Sequence, residues 1–151
     1  FTLVFNGSLI KSQVKFDKET RQKSRPMQGQ SPYLINLGLF YNHEDWSASL
    51  QYNRIGKRLI GVGRSLGATA DQTVNIPDSY EMPRNALDLS FARRLGKFEI
   101  KLGLKDIIGN RVVFKQLNDV TLADGTQKRV EEVTRSYRPG RNFSLNVTYK
   151  F

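Results

Sequence analysis

The chain has no cysteine and a single histidine, His43, among 151 residues. These absences exclude a disulfide framework, a thiol nucleophile, a Cys/His zinc cluster and a histidine-paired metal site. No stretch approaches the ~18–20 continuous apolar residues of a membrane-spanning helix. The opening Phe1-Thr2-Leu3-Val4-Phe5 has neither an initiator Met nor a positively charged leader, so a mature protein or a piece of a longer one is expected. Acidic side chains are scarce beside basic ones, 14 against 24. The net charge of +10 suits an anionic partner, whether nucleic acid, lipid headgroups or an acidic ligand.

What is present is alternation. Almost nothing fits a helical period, and six segments fit strands. The first runs from Phe1 to about Ser12, with Leu3, Phe5, Gly7 and Leu9 on one face. The second, Pro32 to Asn42, aligns Tyr33, Ile35, Leu37, Leu39 and Tyr41, with Phe40 the exception on a face otherwise holding Asn36, Gly38 and Asn42. Trp46, Ala48, Leu50 and Tyr52 alternate with Ser47, Ser49, Gln51 and Asn53 in the third. The fourth, about Arg84 to Arg93, sets Leu87, Leu89 and Phe91 against Asp88, Ser90 and Ala92. Phe98, Ile100, Leu102 and Leu104 oppose Glu99, Lys101, Gly103 and Lys105 in the fifth. The last sets Phe143, Leu145, Val147, Tyr149 and Phe151 against Asn142, Ser144, Asn146, Thr148 and Lys150. Each segment therefore has one apolar and one polar face.

The connections alternate too. His43-Glu44-Asp45 and Arg94-Leu95-Gly96-Lys97 are short, whereas Gln13–Ser31, Gly56–Pro83 and Asp106–Tyr137 are long. Long irregular loops fit poorly inside a compact soluble domain. Short turns on one side and long loops on the other are the habit of outer-membrane β-barrels, with the turns periplasmic. Tyr41, Trp46, Phe98, Tyr149 and Phe151 all lie beside a short turn or the C-terminus, and would form an aromatic girdle at one membrane interface. Glu99, Lys101, Lys105 and Lys150 would then face a wet interior. A soluble antiparallel sandwich also has one apolar face per strand, but it explains neither the loop asymmetry nor the placement of the aromatics. Six strands cannot close around a wet lumen, and an open sheet leaves two edges unpaired in lipid. The expected fold is thus all-β, an antiparallel up-and-down transmembrane barrel. These are the last six or so strands of a larger one, with residues 1–151 its C-terminal part and Phe151 its true end.

Five ordered stretches carry a family resemblance. They are Ser24-Arg25-Pro26-Met27-Gln28-Gly29-Gln30-Ser31-Pro32-Tyr33, Tyr52-Asn53-Arg54-Ile55-Gly56-Lys57-Arg58, Tyr80-Glu81-Met82-Pro83-Arg84-Asn85, Leu102-Gly103-Leu104-Lys105-Asp106-Ile107 and Tyr137-Arg138-Pro139-Gly140-Arg141. Over nearly the whole chain they resemble the closing barrel strands of TonB-dependent outer-membrane receptors. The resemblance implies an about 22-stranded barrel, and an N-terminal plug and TonB-contacting segment that are absent from this sequence. It also implies energised uptake of a nutrient ligand across the outer membrane of a Gram-negative bacterium. No cofactor or metal is expected. Gly140, Phe143, Leu145, Val147, Tyr149 and Phe151 resemble the signal read by the barrel assembly machinery. Siderophore, oligosaccharide, peptide and vitamin all stay open as substrate, as does a surface lipoprotein partner.

Local signals are weaker. Gly61-Val62-Gly63-Arg64-Ser65-Leu66-Gly67 misses the dinucleotide-binding spacing and precedes no helical pattern, so it reads as a flexible outer loop. Asp119 and Asp124-Gly125 lack the ligand spacing of a calcium loop, and Asp124-Gly125 reads as a turn. His43 reads as a surface histidine in a periplasmic turn. In the first long link Lys11, Lys15, Lys18, Arg21, Lys23 and Arg25 face only Asp17 and Glu19. Lys15, Lys18, Arg21, Lys23 and Arg25 are candidates for contact with lipopolysaccharide phosphates, against the plainer reading of a solvated loop. The third link is basic as well, with Arg111, Lys115, Lys128, Arg129, Arg135, Arg138 and Arg141 against Asp119, Asp124, Glu131 and Glu132. A basic β-module for nucleic acid would want aromatics and cations on the same face, and here they lie on opposite faces. A passive porin would share the strand pattern. No nucleophile–base pair or carboxylate pair stands out, so an enzyme is not expected.

Overall fold

The computed structural model describes residues 1–15, 24–66, 74–121 and 125–151. The six alternating segments form β1 (Thr2–Leu9), β4 (Tyr33–His43), β5 (Trp46–Ile55), β10 (Arg84–Leu95), β11 (Phe98–Lys105) and β14 (Asn142–Tyr149). They make one six-stranded sheet in the order β1-β4-β5-β10-β11-β14, every pair antiparallel. Alternation produces this because each step of one register row places an apolar side chain opposite another, leucine on leucine in four of the five steps. Leu3, Leu39, Leu50, Leu89, Leu104 and Phe143 are successive register partners across all six strands. The sheet is open: among the described residues, β1 pairs only with β4 and β14 only with β11. The two tight connections shrink to Glu44-Asp45 and Gly96-Lys97, with positive φ at Glu44 (47°) and Gly96 (58°).

The long connections are not the irregular loops that their composition suggests. They contain β2 (Val14–Lys15), β3 (Ser24–Arg25), β6 (Arg58–Gly61), β7 (Arg64–Leu66), β8 (Val74–Ile76), β9 (Ser79–Glu81), β12 (Val112–Thr121) and β13 (Gln127–Tyr137). The stretch read as a flexible glycine loop begins on Gly61, the last residue of β6, and contains β7; Gly67 lies outside the described residues. Strands β2 and β3 pair, as do β7 and β8, and a four-stranded sheet runs β13-β12-β9-β6. That order repeats β14-β11-β10-β5, and each strand is joined in sequence to its counterpart. The second sheet therefore continues the first one beyond a short break. Hydrogen bonds tie the breaks together, with Met82 N donating to Val113 O at 2.8 Å and Ile107 N to Leu87 O at 2.8 Å. Pro83 and Pro139, which lack an N–H, fall at the breaks. Asp106 (φ 53°) and Gly140 (φ 90°) bend the chain there.

There is almost no core. Leu59, Val112 and Ser31 are the buried side chains among the described residues. The chain exposes 11623 Å², where a folded monomer of its mass would expose about 7,800 Å². Among the described residues no second layer covers the apolar face of the six-stranded sheet, as a soluble sandwich requires. Leu145 on β14 is 64% exposed and Phe5 on β1 68%.

Candidate membrane-facing surface

Alternation sends the odd-numbered residues of β4 and the even-numbered ones of β5 to one face. Register extends that face across the sheet. Beside the six-residue row led by Leu3 runs Tyr41, Ala48, Phe91, Leu102 and Leu145. On the other side runs Phe5, Leu37, Tyr52 and Leu87. The opposite face is polar. Ser49 and Ser90 share a hydrogen bond of 2.7 Å, Asn53 Nδ2 donates to Asn36 Oδ1, and Lys101 pairs with Glu99 at 3.0 Å. Phe40 fits on that face because Gly38 leaves room for its ring: a Cβ at Gly38 would stand 2.7 Å from Phe40 Cε2.

At the short-turn end the apolar face finishes in rings. Phe98 and Tyr149 are register partners with centroids 4.9 Å apart, and Phe151 meets Tyr149 edge-on at 5.1 Å. Trp46 packs on Phe91 at 5.2 Å, and Tyr41 on Phe1 at 4.9 Å. The five residues expected as a girdle thus share one end of one face, in two ring clusters beside the Trp46–Phe91 pair. The exposed His43 stacks on Tyr41 at 6.3 Å. Arg93 was missed in the sequence: it shares the apolar face, with its guanidinium carbon 4.1 Å from the Trp46 centroid.

The loop end has a second border that sequence reading did not find. Arg54 continues the parity of Trp46, Leu50 and Tyr52, so its side chain emerges on the apolar face. Its Nε donates to Tyr33 Oη at 3.4 Å and its Nη1 to Asn85 Oδ1 at 3.4 Å. Tyr52 Oη donates to the same Asn85 oxygen at 2.9 Å. Asn110 Nδ2 reaches Asn85 O at 3.3 Å, and Arg141 Nε donates to Ile107 O at 2.9 Å beside Gly109. The signal was a switch from apolar to basic at constant parity. From Trp46 to Arg54 is eight residues, about 27 Å along the strand, or about 20 Å across a bilayer at barrel tilt. The two cations on the apolar face of the six strands, Arg54 and Arg93, stand at its two borders.

Behind the loop border lies a cleft of ≈ 270 Å³ lined in part by Ile10, Ser12, Pro26, Gln30, Leu59 and Tyr80. The Ser24–Tyr33 stretch closes over it. Gly29 N donates to Leu59 O at 2.7 Å, Gln28 Nε2 to Ile60 O at 2.7 Å, and Ser31 Oγ to Tyr33 O at 2.8 Å. Burial, and then the charge of nearby Asp78, push the Tyr80 hydroxyl above its ordinary value. Lys57 Nζ sits 4.7 Å from the Tyr80 ring centroid.

The remaining sequence candidates are scattered. Lys15 and Arg25 lie on β2 and β3, with Val14 opposite Arg25 and Lys15 opposite Ser24. Lys18, Arg21 and Lys23 fall outside the described residues, as does Asp124. Gly125, with φ 80°, lies between β12 and β13. Phe143, Leu145, Val147 and Tyr149 share one face of the edge strand β14, preceded by Gly140, whose φ of 90° favours glycine. In the third link Lys115 pairs with Glu131 at 2.6 Å, and Arg135 lies over the Tyr137 ring at 5.0 Å. Among the described residues no helix is long and apolar enough to cross a membrane, which says nothing about crossing by strands. Comparison with family models, curated proteins and solved structures gave no match.

Proposed function

We propose that the six-stranded sheet is a segment of the wall of an outer-membrane β-barrel of the TonB-dependent receptor class, which takes up a nutrient ligand with energy from the inner membrane. The observation that carries the membrane part is the single exposed apolar face, bounded at both ends by aromatic and basic residues. Its height at barrel tilt, about 20 Å between Trp46 and Arg54, is somewhat less than the ~25 Å apolar band of such barrels. An apolar face of this extent needs a cover, and lipid covers it without a second protein layer. The unpaired edges β1 and β14 call for neighbouring strands to complete a ring. The receptor part rests on the five ordered motifs; the structure gathers one of them, Ser24–Tyr33, over the loop-side cleft. In this reading the segment is no enzyme: it supplies wall and outer loops, with TonB, the assembly machinery and lipid as its partners.

The native protein contributes no cysteine from this chain, so single cysteines placed along β5 give a clean test. At Leu50 and Ala48 the label should be shielded by the membrane, and at Ser49 and Gln51 it should react with a water-soluble maleimide. The polypeptide should also fractionate with the outer membrane and shift on a gel when boiled. Equal reactivity on both faces, or a soluble polypeptide, would remove the barrel. A normal barrel whose loss leaves all energised uptake intact would remove the receptor assignment and favour a passive porin.

A further inference from the structure

Buried hydrogen-bond acceptors are seldom left without a donor. Gln30 Oε1 is buried with no partner among the described residues, and Gln30 lines the ≈ 270 Å³ cleft at the loop end. We propose that this cleft binds a small carboxylate ligand with one apolar side chain and a neutral amide N–H. An N-acylated amino acid has that chemistry, and so does the C-terminal residue of a peptide. The site makes no use of the apolar face, and it stands whether or not the sheet is part of a barrel.

Three features of the cleft specify the ligand. The first is an acceptor held in place. Gly29, with φ 81°, turns the Ser24–Tyr33 stretch so that its own N–H reaches Leu59 O at 2.7 Å. Met27 N donates to Ser12 Oγ at 3.2 Å, and Gln30 N to Met27 O at 3.4 Å. These bonds fix Gln30 at the wall of the cleft, where its unmet oxygen calls for a donor.

The second feature is charge. Lys11 and Lys57 line the cleft and no acidic side chain does. Among the described residues neither lysine is in an ion pair, whereas Arg58 has Glu81 at 2.7 Å. Nearby carboxylates are engaged elsewhere: Glu131 pairs with Lys115 at 2.6 Å, and Asp78 Oδ1 accepts from Gly63 N at 2.7 Å. Two ammonium groups favour a carboxylate and oppose a cationic donor, so the group that meets Gln30 is an uncharged N–H. The third feature is shape. Ile10, Pro26, Pro32 and Leu59 give apolar walls, and the volume lies below that of pockets for drug-sized molecules. A single apolar side chain has the size for such a space.

The test titrates the purified native protein by calorimetry with three probes. They are N-acetyl-leucine, N-acetyl-leucinamide, which lacks the charge, and 4-methylpentanoate, which lacks the amide N–H. N-acetyl-leucine should bind about tenfold more tightly than either of the others. Q30L should bind N-acetyl-leucine and 4-methylpentanoate alike, and K11M/K57M should no longer favour N-acetyl-leucine over its amide. Ala-Ala-Leu bound as tightly as N-acetyl-leucine makes a peptide end the occupant, and its exclusion makes it a free acylated amino acid. The native protein decides even where a variant fails to fold: no binding, or equal affinity for the three probes as expected if water alone meets Gln30, overturns the site. A folded Q30L that keeps the preference for the amide N–H overturns it as well. Neither result bears on the barrel, which the boiling shift and fractionation read separately.

Discussion

Arg93 and Trp46 face each other as register partners on β10 and β5, and the guanidinium carbon lies 4.1 Å from the indole centroid. A cation on the apolar face is thereby set against the negative face of an aromatic ring, at the level where the face ends. Trp46 is the chain's one tryptophan, and emission from this chain therefore reports on that border. Arg93→Gln should alter Trp46 emission and lower stability toward urea by about 0.5–1 kcal/mol. Unchanged emission would mean that the ring and the guanidinium do not meet in the native protein.

Two glycines should behave very differently. A Cβ at Gly38 would meet the tip of the Phe40 ring at 2.7 Å, while one at Gly63 would meet the main-chain oxygen of Ile76 at 2.2 Å. A ring tip turns aside and a paired backbone does not. Gly38→Ala should cost about 1 kcal/mol and Gly63→Ala about 3 kcal/mol. Gly63 N also donates to Asp78 Oδ1 at 2.7 Å, a bond lost if the segment shifts. Denaturant midpoints of the two variants measure the difference, and equal costs would contradict the contact account.

Asp106 closes β11 with φ at 53°, and neither of its carboxylate oxygens has a hydrogen-bond partner although both are buried. Asparagine tolerates that backbone and carries no charge. Asp106→Asn should therefore stabilise the protein by about 1 kcal/mol, whereas Asp106→Ala should lose stability because alanine resists the left-handed region. Thermal unfolding of both variants decides it: a destabilised asparagine variant would show that the carboxylate has a partner.

Two loop-side groups give opposite pH limbs. The hydrogen bond from Lys115, reinforced by its charge, holds the Glu131 carboxyl below the ordinary glutamate range. Its contribution is complete at neutral pH and disappears as pH falls through that lowered value. Amide exchange across β12 and β13 should then quicken in acid, and Glu131→Gln should flatten this limb. Tyr80 is pushed up by burial, so stability should be untouched at neutral pH and fall as pH rises past the ordinary tyrosine value of 10.0. Spectroscopic titration should show one late tyrosinate that Tyr80→Phe removes.

The six strands of the large sheet were legible to within about three residues because each has one apolar and one polar face. The second strand was expected over Pro32–Asn42 and occupies Tyr33–His43; the fifth begins and ends as expected, at Phe98 and Lys105. Strands β12 and β13 were invisible for the complementary reason. A segment such as Gln127–Tyr137, with Arg129, Glu131, Glu132 and Arg135 spread along it, writes no period, and only the Asp124-Gly125 turn hinted at a hairpin. The loop-side border was hidden in another way. Arg54 and Asn85 are far apart in sequence, and their shared level follows only from the register of β5 with β10. Tyr41, Trp46, Phe98, Tyr149 and Phe151 could be grouped because each adjoins a short turn or the C-terminus.

Among the described residues each strand of the six-stranded sheet pairs only with the sheet strand before it and the one after it in the chain, and the four-stranded sheet keeps the same order. Such a sheet is modular. A whole hairpin can be added or removed as a unit, changing the width of the sheet by two strands while every other register is preserved. Growth by duplicated hairpins, rather than by lengthened loops, is the route this architecture leaves open to a wider or narrower sheet.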